Sequence, residues 1–192
     1  MGSELASGLL GALVGGLFTL WGTLIEGRRQ KRALEEEARS KQRSVLIGIR
    51  TEIITLIDLY KSRMSDSIDN YDGREPFSNI FPLSQNYFSF YDTNSLALAS
   101  INEEALKSIV MFYGSAKGLV DTYKMNNDVV DELSKLQTIF HETAMDIHKF
   151  NWEETYRIAI DYGNSLKDIH NEVMSRVKIC LENIEREILI LS

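Results

Sequence analysis

Proline occurs only twice in the 192 residues, at Pro76 and Pro82, both in one short region. Proline removes a helical N–H and clashes with the preceding turn, so it is the strongest local barrier to a long helix. Its confinement to that region leaves the chain on either side open to helices of unusual length. No segment alternates apolar and polar residues for long enough to demand a strand, and the pattern predicts an all-α protein.

From Val45 onward, Leu46, Ile49, Ile53, Leu56 and Tyr60 follow a three-four spacing, flanked by Ile57 and Met64, which marks a helix with one face in a core. Residues 67–86, SIDNYDGREPFSNIFPLSQN, break helicity with Asp-Gly and both prolines. A second helical region is expected over 84–100. Asn102, with Glu104 in the first turn, opens a helix that places Leu106, Ile109, Val110, Tyr113, Ala116, Leu119, Val120 and Tyr123 on one side. KMNND, residues 124–128, reads as a turn, followed by a helix that buries Val129, Leu133, Leu136, Phe140, Ala144 and Ile147. A phase slip over 150–152, with Asn151 and Glu154 spaced as a capping box, indicates a turn before a final helix to Leu191. An uninterrupted helix, or a break near Gly163, fits that stretch as well. Leu166, Ile169, Val173, Val177, Cys180, Ile184 and Ile188 form its apolar face. The expected architecture of residues 45–192 is an antiparallel four- or five-helix bundle.

The N-terminal region reads differently. Residues 5–25 hold no ionisable side chain within GLLGALVGGLFTLWGTLIEGRRQKR and its short leader. At ~1.5 Å per residue such a helix covers a ~30 Å hydrocarbon core. The expected organisation is a transmembrane helix over 1–25, a charged helical stalk over 26–44 and a cytosolic helical bundle over 45–192. The leader carries only Glu4, and the GRRQKR flank lies where a signal peptide would need small residues, so cleavage is not expected. Ala6 stands where a myristoylation signal needs Ser or Thr. Arg28, Arg29, Lys31 and Arg32 follow the span, which places the N-terminus outside and the C-terminal domain in the cytoplasm of a bacterial inner membrane. A fully buried helix is the competing reading. Gly8, Gly15 and Gly22 recur every seven residues, and Gly11, Gly15 and Thr19 every four, so Gly8, Gly11, Gly15, Thr19 and Gly22 form a candidate self-association ridge for a homo-oligomer. Glycine is also simply common in membrane helices.

Between residues 26 and 44, seven basic and four acidic side chains make a solvated stalk of net +3, with Glu35–Arg39 and Glu37–Lys41 at favourable spacing. Its membrane-proximal end can touch anionic head groups. The stalk runs into the domain as one helix. The single cysteine, Cys180, excludes an internal disulfide, suits a reducing compartment and, between Ile179 and Leu181, reads as a buried inert thiol.

Chemistry is sparse. His141, His148 and His170 offer no pair at the i, i+3 or i+4 spacing that puts metal ligands on one helix face, and read as surface or cap histidines. No HExxH, GxSxG, P-loop or GxGxxG motif is present, so no catalytic residue, metal ligand or cofactor is assigned and an enzyme is not expected. Residues 45–192 carry 14 basic against 23 acidic residues, which disfavours bulk nucleic-acid binding. The densest feature is aromatic: Phe77, Phe81, Tyr87, Phe88, Phe90 and Tyr91 within fifteen residues. Of these Phe77, Phe81, Tyr87, Phe88 and Tyr91 are candidates for a pocket floor or partner surface; alternatively they close the bundle under a loop. Arg74 beside them reads as a solvated charge.

YFSFYDTNSLALASI and LKSIVMFYGSAKGLVDTYKMNN, within residues 87–127, resemble a segment of uncharacterised small bacterial and prophage membrane proteins that pair one N-terminal span with a helical cytosolic domain. The resemblance implies context, phage defence or exclusion or membrane anchoring, and carries no catalytic residue. The sequence therefore suggests a membrane-anchored, self-associating effector or sensor whose bundle receives a small signalling ligand or a protein. The alternative is a non-enzymatic adaptor that holds a soluble partner at the inner membrane.

Overall fold

The computed structural model describes residues 2–82 and 86–192, and within them all side chains except those of residues 2–15 and 17. The described residues are helical, with no strand among them. Helix α1 spans Gly2–Tyr60 and passes through a π turn, Lys61–Ser65, into the short α2, Asp66–Asp69. After a loop come α3, Ser89–Asn94, and a 3-10 turn, Ser95–Leu98. Two long helices complete the chain, α4 at Glu103–Thr143 and α5 at Asp146–Ile190.

The expected continuity of stalk and domain is observed, since α1 runs unbroken through Ser44 into the stripe of Leu46, Ile49 and Ile53, all fully buried. Tyr60, Met64 and Ile68 are also buried and are spaced by four. At 3.6 residues per turn that spacing drifts by about 40° per step. The wider π turn absorbs the drift and keeps all three on the core face. Asn102 caps α4 by accepting from the Glu104 N–H at 2.8 Å, as its sequence predicts.

Three expectations are corrected. The bundle has three long helices rather than four or five, because KMNND does not turn: α4 runs straight through it. Asn126 and Asn127, read as left-handed turn formers, instead hold the proline-containing loop. Asn126 Nδ2 donates to the Phe77 carbonyl at 2.8 Å and Asn127 Nδ2 to that of Phe81 at 3.0 Å. The hairpin turn lies at Ala144, in left-handed backbone with φ 51°, so Asn151 and Glu154 fall inside α5 and form no capping box.

The third correction concerns the membrane. Among the described residues no helix is long and apolar enough to cross one. The single-pass inner-membrane placement, with an outside N-terminus and a cytoplasmic C-terminal domain, is overturned on that ground. The described uncharged run of α1 ends at Ile25, and Glu26 opens the charge-dense stalk, so any bilayer-length window of described side chains that includes this run takes in several charges.

Contacts along the bundle fix its layout. Gln42 reaches Ser100 and Arg43 reaches Ser192, so this level of α1 meets the start of the α4 region and the end of α5. Tyr60 meets Tyr123 and His170 further along. The loop after α2 lies level with Gly163, where a Cβ would come within 2.2 Å of Tyr71 Oη; the absent side chain lets loop and helix touch. Beyond this core α1 projects from one end and the α4–α5 hairpin from the other. Residues 128–144 extend about 25 Å at ~1.5 Å per residue.

Candidate functional site

The aromatic segment folds into the core. Phe77, Phe81 and Phe88 are buried, and Tyr87 and Tyr91 are partly buried against them. Phe81 packs its ring 5.3 Å from Tyr123, and Tyr91 stacks on Tyr113 at 3.8 Å. Glu52 of α1 secures α3 from below: its carboxylate accepts from the N–H groups of Phe90 at 2.8 Å and Tyr91 at 3.1 Å, and from Tyr113 Oη at 2.7 Å. Closing the bundle under a loop is thus the role the geometry gives these rings.

Leu56, Tyr60, Phe81, Phe88, Tyr123 and Val173 are among the side chains lining an apolar cavity of about 50 Å³. Small-molecule sites enclose roughly 300–1,000 Å³. The cavity is too small for such a ligand, and size decides against it as a receptor for one.

Beside the cavity lies a polar chain that the sequence reading missed. His170, 3% exposed, places Nδ1 2.8 Å from Tyr60 Oη and Nε2 3.0 Å from Asp69 Oδ1. Tyr60 Oη lies 3.2 Å from Tyr123 Oη, and Ser65 Oγ donates to Asp69 at 2.7 Å. An ionised carboxylate only accepts, so Nε2 carries a proton toward Asp69; in the neutral imidazole Nδ1 then accepts from Tyr60. Burial raises Tyr60 well above a free phenol and pushes Tyr123 up to about 12, so both hydroxyls stay protonated. Donation from Ser65, and then the nearby His170, hold Asp69 below the ordinary carboxylate range. A protonated phenol in an apolar setting is a poor nucleophile, and the chain acts as a pin joining α1, α2, α4 and α5. One signal was available: His170 sits four residues after Leu166 and three before Val173, on the apolar stripe.

Exposed apolar side chains occur on the body, Leu96, Ile179 and Leu189 among them, and on the two projections. Between residues 128 and 158 only Leu133 is buried. Ile147, Phe150 and Ile158 are 57%, 59% and 42% exposed, and at 100° per residue they share one face of α5. Met145 at the turn and Ile139 on α4 are exposed too. Ala144 and Ile147, expected in the core, are therefore at the surface, as is Val110. Within the hairpin Phe140 stacks on Trp152 at 6.3 Å and Thr143 Oγ1 lies 2.7 Å from His148 Nδ1, which ties the tip together.

On the opposite projection Phe18, Leu20, Trp21, Leu24 and Ile25 are all more than half exposed. Thr19 and Gly22 of the expected ridge lie on this helix, and nothing approaches the Cβ position of Gly22 within 4 Å. Gly8, Gly11 and Gly15 lie outside the described side chains. No protein-family model matches the chain, and neither a curated protein nor a solved structure does.

Proposed function

We propose that this protein is a non-enzymatic scaffold: a three-helix core holds two helical arms, and the arms engage other helices. The observation that carries this reading is the shared face of Ile147, Phe150 and Ile158 on a hairpin whose residues contribute almost nothing to the core. Exposed apolar groups of this kind, rimmed by charge, mark protein interaction surfaces. The pinned core supports the same reading. Glu52, Asn126, Asn127 and His170 tie loop and helices together, so the arms leave a body that fixes their direction.

The test compares the full chain with the double variant Ile147→Asp/Phe150→Asp as bait in one cell extract. A protein held in stoichiometric amount by the wild type should be lost with the variant, while the thermal midpoint stays within about 2 °C because the altered residues lie outside the core. Identical captured proteins with both baits would refute the reading.

A further inference from the structure

The two arms carry opposite charge. Residues 27–44 of α1 hold seven basic and three acidic side chains; residues 128–161, the hairpin, hold eight acidic and three basic ones. The asymmetry is sharpest at equal distances from the core. Arg28, Arg29, Lys31 and Arg32 form a basic run without an acid, and Glu142 and Asp146 flank the hairpin turn at the same distance. The arms also match in length. From Ser44 back to Arg28, as from Asn127 to the turn at Ala144, the chain covers about 25 Å of helix.

We infer that the hairpin arm receives the α1 arm of a second copy of this chain, in a two-fold antiparallel dimer. The inference rests on reading the arms as binding surfaces and names their partner. A two-fold axis perpendicular to the bundle reverses the direction of one copy. With the cores level, each α1 arm then lies along the other copy's hairpin, and both contacts form twice, as an isologous interface requires. In that register the run from Arg28 to Arg32 lies level with Glu142 and Asp146. Parallel pairing of two α1 arms would instead set the four basic residues against their own copies, which repel.

Charge exchange tests this on the full chain. Arg28→Glu/Arg32→Glu sets two acids against the acidic turn region of the hairpin, and Glu142→Lys/Asp146→Lys sets two cations there against the basic run. All four residues are exposed, so folding is retained, checked by circular dichroism. The wild type should sediment at twice 21.9 kDa and each double variant alone at 21.9 kDa. Mixing the two variants should restore the dimer, because at the exchanged positions each contact again pairs opposite signs. A dimer from the hairpin variant alone would overturn the inference in favour of contact between α1 arms, and a mixture that stays monomeric would overturn it outright. A monomeric wild type would overturn the dimer alone, since loss of capture by Ile147→Asp/Phe150→Asp reads the scaffold separately.

Discussion

Helix α1 is continuous in hydrogen bonding and divided in environment. From Gly16 to Ser44 none of its described side chains is buried, whereas between Val45 and Tyr60 six are: Val45, Leu46, Ile49, Ile53, Ile57 and Tyr60. An isolated helix is marginal in water, so tertiary packing holds the second half and continuity with it supports the first. Ion pairs add little to the exposed half. Lys31 and Glu35 lie 3.9 Å apart with both side chains largely in solvent, a geometry worth at most about 1 kcal/mol. The same division runs through the hairpin, where Ile109, Phe112, Tyr113 and Tyr123 are buried and between residues 127 and 158 only Leu133 is. Helix length and core membership are therefore separate properties in this chain.

The sharpest way to break the division is to place a charge in each half. Ile53→Asp buries a carboxylate where exposure is 0%, without a partner, and should cost more than about 4 kcal/mol in a urea titration. Leu34→Asp, at a position 67% exposed, should stay within about 0.5 kcal/mol. Comparable losses at both sites would mean the arm is packed and the division false.

Gly163→Leu sharpens the boundary on the hairpin side. Its side chain would run into Tyr71 Oη and Phe77 Cβ, and overpacking of this kind costs about 1–3 kcal/mol. At Gly27 a Cβ meets nothing within 4 Å, so Gly27→Ala should raise helicity at 222 nm without loss of stability.

Tyr60→Phe removes the central hydroxyl of the pin and leaves His170 Nδ1 and Tyr123 Oη without it. The loss should be about 1–3 kcal/mol, because buried polar groups lose their partner. Its unfolding curve should keep the wild-type slope if only the core is weakened.

The pH dependence should separate the halves more gently. Burial raises Tyr60 and Tyr113, pushes Tyr123 up to about 12, and pushes the Cys180 thiol up to about 12. The folded state thus holds these protons more tightly than the unfolded chain. The stability this confers is complete below the unfolded values, roughly 8.5 for a thiol and 10 for a phenol, and is lost as pH rises from there through the raised folded values. All four groups belong to the core, so the thermal midpoint should fall from about pH 9 upward. Asp69, held low chiefly by Ser65, contributes in the opposite sense: its share is present above about pH 4 and fades in acid. Its side chain is 55% exposed, so this effect should be the smallest.

What the sequence disclosed follows the same division. Periodicity reports burial, and it identified Leu46, Ile49, Ile53, Tyr113, Leu166, Val173 and Ile184 because each must meet a neighbour. It failed where local chemistry and tertiary context disagree. Asn126 and Asn127 look like turn formers, yet in a long helix their amides supply donors to the loop carbonyls of Phe77 and Phe81, which no local signal announces. The turn was misplaced because it rests on Ala144 in left-handed backbone, a conformation that alanine does not advertise. Ile147 was assigned to the core because an apolar stripe looks alike whether it meets its own chain or another. The arms were legible as charge blocks at 26–44 and in the acidic bundle, but that they leave opposite ends of the core depends on contacts such as Arg43 with Ser192 and Tyr71 with Ile160, far apart in sequence.

Hydrogen exchange on the full chain, at a dilution where it is monomeric, tests the division between core and arms most directly. Amides of residues 46–60 should exchange only through global unfolding, while those of 27–41 and 130–156 should exchange orders of magnitude faster through local opening. Equal protection of 27–41 and 46–60 in the monomer would contradict it, because the α1 arm would then be packed within its own chain and would not be free to bind another.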